Sequence, residues 1–181
     1  MPTNIEVKAV LKDAGAARDI AIRLSGGNAK TFHQTDYFFP CDTARLKLRI
    51  FDSHSGELIR YQRSDLATAR MSKYLIARTP DPEILRTILA ETLGTAGVVR
   101  KIRQLFLVGQ TRIHIDNVDG LGEFLELEVV MRPDQDESEG HEIVRGLLSE
   151  FGINRTQLVA EAYVDLLRHE HGNANAGTLK L

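Results

Sequence analysis

Charged and apolar residues alternate along several short segments of this chain, and the alternation strongly limits how it can fold. The clearest segments are Asn4-Ile5-Glu6-Val7-Lys8, Arg45-Leu46-Lys47-Leu48-Arg49, Arg112-Ile113-His114-Ile115-Asp116 and Glu126-Leu127-Glu128. Because side chains of a β-strand alternate between the two faces of a sheet, each segment would have one apolar and one ionised face. A sheet of such strands would therefore collect carboxylates and basic groups on one surface.

The alternating segments and the turn residues between them predict eight strands. Short links favour antiparallel pairing, and eight antiparallel strands can close into a barrel, which removes exposed sheet edges. The predicted strands are Asn4–Leu11, His33–Phe39, Arg45–Phe51, Glu57–Arg63, Ser72–Arg78, Val98–Val108, Thr111–Val118 and Glu123–Met131.

Helices are predicted at the ends of the chain and in one insertion, which gives an α+β fold dominated by antiparallel sheet. Asp13 is a typical N-cap for a first helix that runs through Leu24 and stops at Gly26-Gly27. Three further helices are predicted over Glu83–Leu93, His141–Phe151 and Arg155–His169.

The two faces of the barrel strands predict an unusual interior. The apolar side would pack outward against the helices, and the charged side would then line the lumen. Unpaired buried charges cost several kcal/mol each, so such a lumen makes sense only if it holds water and a charged ligand. The residues expected to face outward are Ile5, Val7, Leu46, Leu48, Ile113, Ile115, Leu125 and Leu127.

Length and composition favour one domain. The chain has 181 residues, of which 43% are hydrophobic, enough for one full core. We expect a single tunnel domain over residues 1–171 and a mobile tail over 172–181, which is rich in Gly, Asn and Ala.

Charge and cysteine content narrow the expected partners and location. The net charge of -2 gives no basic footprint of a nucleic-acid binder. No segment approaches the roughly 20 apolar residues that a membrane span requires. The single cysteine, Cys41, fits a reducing compartment. We therefore expect a cytoplasmic protein that binds neither nucleic acid nor membrane.

Charge counting on the predicted inner faces points to a polyanion. The basic residues exceed the acidic ones by about four, close to the charge of an organic triphosphate, and Arg and Lys are the usual phosphate receptors. Glu126 and Glu128 project from the same face of one strand, and such oxygen pairs suit Mg²⁺ or Mn²⁺. The acids are Glu6, Asp116, Glu126 and Glu128, and the bases are Lys8, Arg45, Lys47, Arg49, Arg63, Lys101, Arg103 and Arg112.

An ordered set of motifs resembles the CYTH superfamily, the triphosphate tunnel metalloenzymes. The late segment Ala162-Tyr163-Val164-Asp165-Leu166-Leu167 is similar to the class IV adenylyl cyclase branch in particular. The other motifs are Asn4-x-Glu6-x-Lys8, Gln34-x-Asp36-Tyr37-Phe38, Arg45-Leu46-Lys47-Leu48-Arg49, Leu58 to Arg63, Val99 to Arg103, Arg112 to Asp116 and Gly120 to Glu128.

The resemblance implies an eight-stranded tunnel with assigned residues. Glu6, Glu126 and Glu128 would hold Mg²⁺ or Mn²⁺, with Asp116 as a further ligand. Asn4 stands where the family usually has glutamate. Its neutral amide oxygen would bind the cation more weakly than a carboxylate, so Asn4 would be a weak ligand. Asp116, Lys101 and Arg103 would be catalytic. The phosphate-binding residues would be Lys8, Lys47, Arg49, Arg63, Lys101, Arg103 and Arg112.

Three functions remain open at this point. The first is a class IV cyclase that converts ATP to cyclic AMP and pyrophosphate. The second is a hydrolase of inorganic or thiamine triphosphate, and the third is a non-catalytic protein that binds nucleotide or polyphosphate. The expected partner is thus a nucleoside or inorganic triphosphate, and the resemblance also suggests a homodimer. His114 is a candidate proton carrier on the inner face.

Overall fold

The computed structural model describes residues 3–63 and 68–176, with all their side chains except those at 63 and 171–176. This part of the chain contains eight strands: β1 (Thr3–Val10), β2 (Lys30–Phe39), β3 (Arg45–Asp52), β4 (Ser55–Arg63), β5 (Arg70–Thr79), β6 (Gly97–Val108), β7 (Thr111–Val118) and β8 (Gly122–Val130). They close into a barrel in the order β1-β5-β4-β3-β2-β6-β7-β8. The predicted eight-stranded barrel is confirmed.

Every pair of neighbouring strands is antiparallel. Strands β2 to β5 form one meander and β6 to β8 form another, each with short connections. The barrel closes because β1 pairs with both β5 and β8, and β2 pairs with β6. The strand β1 and the two meanders, which are distant in sequence, therefore place their inner faces in one cavity.

Four α-helices surround the barrel: α1 (Ala14–Ser25), α2 (Pro82–Leu93), α3 (Glu137–Glu150) and α4 (Tyr163–Ala176). Asp13 caps α1, since its carboxylate accepts a hydrogen bond of 2.9 Å from the backbone N–H of Ala16. Helix α3 begins inside the acidic run, earlier than the predicted start at His141. A capping box of Asp136 and Glu139 explains the earlier start. None of the described helices has the length and apolar character that a membrane crossing requires.

The predicted continuous helix from Arg155 to His169 is wrong. A short 3-10 turn spans Arg155–Gln157, and residues 158–162 then run without helical structure to the start of α4. The helix is interrupted because this segment bonds to β1: the N–H of Val159 donates to the carbonyl of Lys8 at 2.9 Å. Helix α4 continues to Ala176, beyond the predicted boundary at residue 171. Residues 177–181 of the predicted tail lie outside the described residues.

The apolar face of the barrel packs outward against the helices, as the alternation predicts. Helices α1 and α3 cover a cluster on β1, β7 and β8 that includes the buried side chains of Ile5, Ile113 and Leu127. Helix α2 covers Leu48 and Ile50 of β3. Burying each such side chain contributes about 1.5–3 kcal/mol, so the barrel is stabilised from outside and its interior is left for polar groups.

Candidate active site in the barrel interior

The interior of the barrel is a cavity of about 980 Å³ lined by charged side chains. Among the described residues, nine Lys and Arg side chains and six Asp and Glu side chains line it. The excess of positive charge favours a polyanionic ligand. The cavity is also large enough for an organic molecule that carries several phosphates.

Three glutamates meet on adjacent strands and form the acidic part of the cavity. Glu126 and Glu128 project inward from β8, and Glu6 of β1 is the register partner of Glu128. His114 of β7 is the register partner of Glu126. One ligand atom each from His114, Glu126 and Glu128 lie within 4.8 Å of one another, a spacing that could hold a metal ion.

The charges around Glu126 and Glu128 keep their carboxylates ionised. Burial raises the pKa of Glu126, but the nearby Arg103 and Lys101 outweigh burial and hold that pKa well below its usual value. Burial and Arg103 both lower the pKa of His114, so its imidazole is neutral at neutral pH. Neutral imidazole and ionised carboxylates are the forms that bind metal ions.

Asp116 of β7 is the centre of a buried clamp with two basic residues of β6. The Nζ of Lys101 donates to its carboxylate at 2.9 Å. The Nε and Nη2 of Arg103 donate to the two carboxylate oxygens at 2.7 and 2.6 Å. Arg103 also donates to Glu126, which links this Asp116 clamp to the acidic cluster.

Asp116, predicted as a further metal ligand, does not face the cavity. Its side chain is 0% exposed and is not among the residues that line the cavity. Besides Lys101 and Arg103, the hydroxyl of Tyr163 donates to it at 3.1 Å. Burial raises the pKa of Asp116, but Arg103 and Lys101 lower it more, so the carboxylate stays ionised. Its hydrogen bonds therefore fix the positions of Lys101 and Arg103, which line the cavity.

A second clamp of the same design lies on β2 and β3, and the sequence reasoning did not assign its central residue. Lys47 donates to the Asp36 carboxylate at 2.8 Å, and Arg49 donates to it through Nε and Nη2 at 2.8 and 2.9 Å. Asp36 is two residues from Gln34 and thus on the same inward face of β2. Its presence in the Gln34-x-Asp36 motif was the signal that could have identified it.

The residues that precede and begin α4 line one end of the cavity. The ring centroid of Tyr163 lies 3.7 Å from the Nζ of Lys8 and 5.0 Å from the Nζ of Lys101. Lys8 also donates to the carbonyl of Glu161 at 2.9 Å. Tyr163 packs edge-on against Phe124 at a centroid distance of 4.9 Å. This Tyr163 contact orients Lys8 and the Asp116 clamp together.

The remaining predicted site residues differ in whether they line the cavity. Arg112 lines the cavity, with a 41% exposed side chain 3.5 Å from Glu128. Arg63 lies outside the described side chains. Arg45 is not among the lining residues of the cavity; its Nη1 pairs with Asp165 of α4 at 2.7 Å. Arg70, which precedes the predicted fifth strand, lines the cavity 3.5 Å from Glu6 and was missed because the strand begins earlier than predicted.

Asn4 lines the cavity next to the acidic cluster. The residue is 5% exposed, and its Oδ1 accepts no hydrogen bond from any described residue. Buried side-chain oxygens normally have a partner. The position of Asn4, two residues before Glu6 on the same face of β1, fits a neutral oxygen ligand beside the carboxylates.

Comparison with known proteins agrees with this architecture. A family model described as CYTH domain matches residues 2–163. The chain therefore belongs to the CYTH domain family. A protein of Methanocaldococcus jannaschii named "Putative adenylate cyclase MJ0240" is 26% identical over 122 residues, which cover 66% of this chain and 69% of that protein.

Two solved structures share the fold at low sequence identity. The PH1012 protein of Pyrococcus horikoshii has a TM-score of 0.78 at 20% identity, over 90% of this chain and 98% of that one. A protein of Vibrio parahaemolyticus, again named as a putative adenylate cyclase, has a TM-score of 0.74 at 17% identity, over 91% of this chain and 97% of that one. These likenesses show the fold of the tunnel.

Proposed function

We propose that this protein binds a triphosphate in its tunnel and, with a divalent cation, converts ATP to cyclic AMP and pyrophosphate. The observation that carries the proposal is the arrangement of the cavity wall. Two clamps of Lys and Arg and one cluster of carboxylates share a single cavity. A polyanion bound with a cation satisfies both sets of charges. The names of the similar proteins support the cyclase among triphosphate reactions.

The acidic cluster would hold the cation. Glu126, Glu128 and Glu6 offer the oxygen ligands that Mg²⁺ and Mn²⁺ prefer, with His114 and Asn4 beside them. When bound, such an ion neutralises phosphate charge and polarises the phosphorus that is attacked. Asp116 is assigned a positioning role instead, because its oxygens are already bonded to Lys101, Arg103 and Tyr163.

The basic residues would bind and neutralise the phosphates. Lys101 and Arg103 face the ligand space from the Asp116 clamp, and Lys47 and Arg49 face it from the Asp36 clamp. Lys8 and Arg112 lie on either side of the glutamates, and Arg63 is assigned to this set by its motif. In the cyclase reaction the 3′-hydroxyl attacks the α-phosphorus and pyrophosphate leaves. Fixed cations near the leaving oxygens stabilise that transition state without reorganisation.

Phosphorus NMR of the reaction products tests the proposal. Purified protein is incubated with ATP, tripolyphosphate and thiamine triphosphate in turn, each with Mg²⁺ and then with Mn²⁺. We expect cyclic AMP and pyrophosphate from ATP. Orthophosphate release would replace the cyclase with a triphosphatase, and shifted resonances without product would identify a binding protein.

Substitutions at two residues of β8 show whether the activity measured in this assay depends on the acidic cluster. Glu126→Gln removes a carboxylate of the acidic cluster and should abolish turnover. Glu123→Gln is the matched control, because Glu123 lies on β8 but on its opposite face, and it should retain activity. Equal activity in both variants, or full activity in excess chelator, would contradict the assigned roles.

A further inference from the structure

We propose that Phe32, Phe51 and Leu105 form an apolar shelf in the tunnel that binds the base of a nucleoside triphosphate, with Gln34 as its polar contact. The inference rests on the proposed triphosphate function of the same cavity. It adds the place in the tunnel that would bind the base of ATP, a group that an inorganic triphosphate lacks.

The shelf lies on three neighbouring strands. On β2, Phe32 faces inward two residues before Gln34, and its register partner on β6 is Arg103. On β3, Phe51 faces inward two residues after Arg49. The two rings are tilted by 52° with their centroids 5.9 Å apart. Leu105 of β6 lines the same part of the cavity.

This position adjoins both phosphate clamps. Phe32 is opposite Arg103 of the Asp116 clamp, and Phe51 follows Arg49 of the Asp36 clamp. A triphosphate gripped between the clamps would therefore have its organic end beside the two rings. The shelf is on the side away from Tyr163, because Phe32 and Phe38 lie towards opposite ends of the inner face of β2 and Phe38 packs in one cluster with Tyr163. The base of a long ligand can thus lie on the shelf while its phosphates extend inward.

The chemistry of the shelf matches a planar heterocycle. Its three side chains are only partly buried, in a wall that also carries nine Lys and Arg and six Asp and Glu side chains. Apolar surface left in contact with water is unfavourable, and phosphate groups cannot cover it. Aromatic side chains stack on nucleic-acid bases of every type. A base would therefore cover the apolar surface and gain stacking at once.

Gln34 gives an independent indication of a ligand. The residue is 5% exposed and lines the cavity between Phe32 and Asp36 on the inner face of β2. Its Oε1 accepts no hydrogen bond from any described residue. Buried amide oxygens normally have a partner, and the amino or hydroxyl group of a nucleoside is a suitable donor.

Binding of two ligands to wild type and variants tests the shelf. The Phe32→Ser/Phe51→Ser double variant is titrated calorimetrically with ATP and with inorganic tripolyphosphate, with Ca²⁺ in place of Mg²⁺ to suppress turnover. We expect ATP to bind about tenfold more weakly than to wild type, the effect of one lost stacking contact. Binding of tripolyphosphate should not change. Gln34→Leu should weaken ATP binding alone.

The matched control is Tyr74→Ser, which removes an aromatic ring from the cavity wall on β5 and should affect neither ligand. Equal loss of ATP and tripolyphosphate binding in the double variant would overturn the inference, as would unchanged ATP binding. If the double variant does not fold, wild type is titrated with ribose 5-triphosphate. The shelf predicts about tenfold weaker binding of that ligand than of ATP. Equal binding overturns the shelf.

The outcomes separate this inference from the proposed function. If wild type binds tripolyphosphate but the variants show no loss specific to ATP, the shelf is wrong and the triphosphate tunnel stands. If wild type binds neither ligand, both are wrong.

Discussion

The two clamps of the tunnel have the same plan but different surroundings. In each, an aspartate on one strand holds a Lys and an Arg that lie two residues apart on the neighbouring strand. In the Asp116 clamp, the side chains of Lys101 and Arg103 are 3% and 6% exposed. In the Asp36 clamp, those of Lys47 and Arg49 are 14% and 13% exposed. The first clamp is thus more deeply buried than the second.

The clamps also differ in what else they contact. Tyr163 donates to Asp116, and Arg103 donates to Glu126, so the Asp116 clamp joins the start of α4 to the acidic cluster. Within the part of the chain that the structure describes, the Asp36 carboxylate accepts hydrogen bonds from Lys47 and Arg49. We therefore propose that the Asp116 clamp serves stability and catalysis together, whereas the Asp36 clamp serves mainly ligand binding.

Substituting the central aspartate should lower the free energy of unfolding more in the Asp116 clamp than in the Asp36 clamp. Asp116→Asn leaves Lys101 and Arg103 buried without their counter-ion, and breaking a buried ion pair costs about 3–5 kcal/mol of unfolding free energy. Asp36→Asn should cost less, about 1–3 kcal/mol, because its bases are nearer to water. Denaturant unfolding of both variants measures the difference. Equal losses, or a larger loss for Asp36→Asn, would contradict the comparison.

Removing the two arginines should separate catalysis from binding. Arg103→Met should lower kcat about 10²–10³-fold, the typical effect of removing a donor that stabilises transition-state charge. Arg49→Met should mainly raise KM, because its loss weakens the grip on phosphate in the ground state and the transition state alike. Steady-state kinetics of the two variants provide the check. A kcat effect confined to Arg49→Met would reverse the assigned roles.

Lys47 should make ligand binding depend on pH. Burial and the nearby Arg49 lower its pKa to about 8, although Asp36 opposes the shift. Lys47 therefore loses its positive charge as the pH rises through about 8, and triphosphate binding should weaken over this range. Titration calorimetry on both sides of pH 8 measures the change. The control is Lys47→Arg, whose charge does not titrate there, and an identical pH profile in that variant would assign the dependence elsewhere.

The same shift has an opposite consequence for the ligand-free protein. Between the lowered pKa and the usual value of 10.5, the unfolded chain binds a proton that folded Lys47 does not. Because stability rises with pH wherever the unfolded state binds more protons, the contribution of Lys47 to stability improves as the pH increases through this range.

Tyr163→Phe should have the smallest effect. It removes the hydroxyl that donates to Asp116 but keeps the ring beside Lys8, so we expect a loss of about 0.5–1.5 kcal/mol in unfolding free energy. Tyr163→Leu should cost more, because the cation–π contact is lost as well. Thermal unfolding compares the two variants. A larger loss in Tyr163→Phe would show that the ring does not orient Lys8.

Much of the barrel could be predicted because its signal is local. The alternation in Asn4 to Lys8 and in Arg112 to Asp116 fixes which face of each strand is apolar, and the helices cover that face. The final helix was mispredicted because its interruption depends on a distant bond, from Val159 to Lys8. Local sequence cannot show that β1 will compete for this segment.

The sequence predicted which residues line the cavity better than it predicted which of these residues bond to each other. Lys47, Arg49, Lys101, Arg103, Glu126 and Glu128 all line the cavity as expected. The burial of Asp116 behind Arg103, and the pairing of Asp36 with Arg49, depend on register between strands. Alternation specifies the face of a residue but not the residue opposite it, so the two clamps required the structure.

A crystal structure with a triphosphate analogue and Mn²⁺ tests the central claim most directly. The account predicts phosphates between the two clamps, in contact with Arg49 and Arg103, and an anomalous Mn²⁺ signal at Glu126 and Glu128. A ligand on the outer surface of the barrel, or Mn²⁺ bound away from these glutamates, would contradict it.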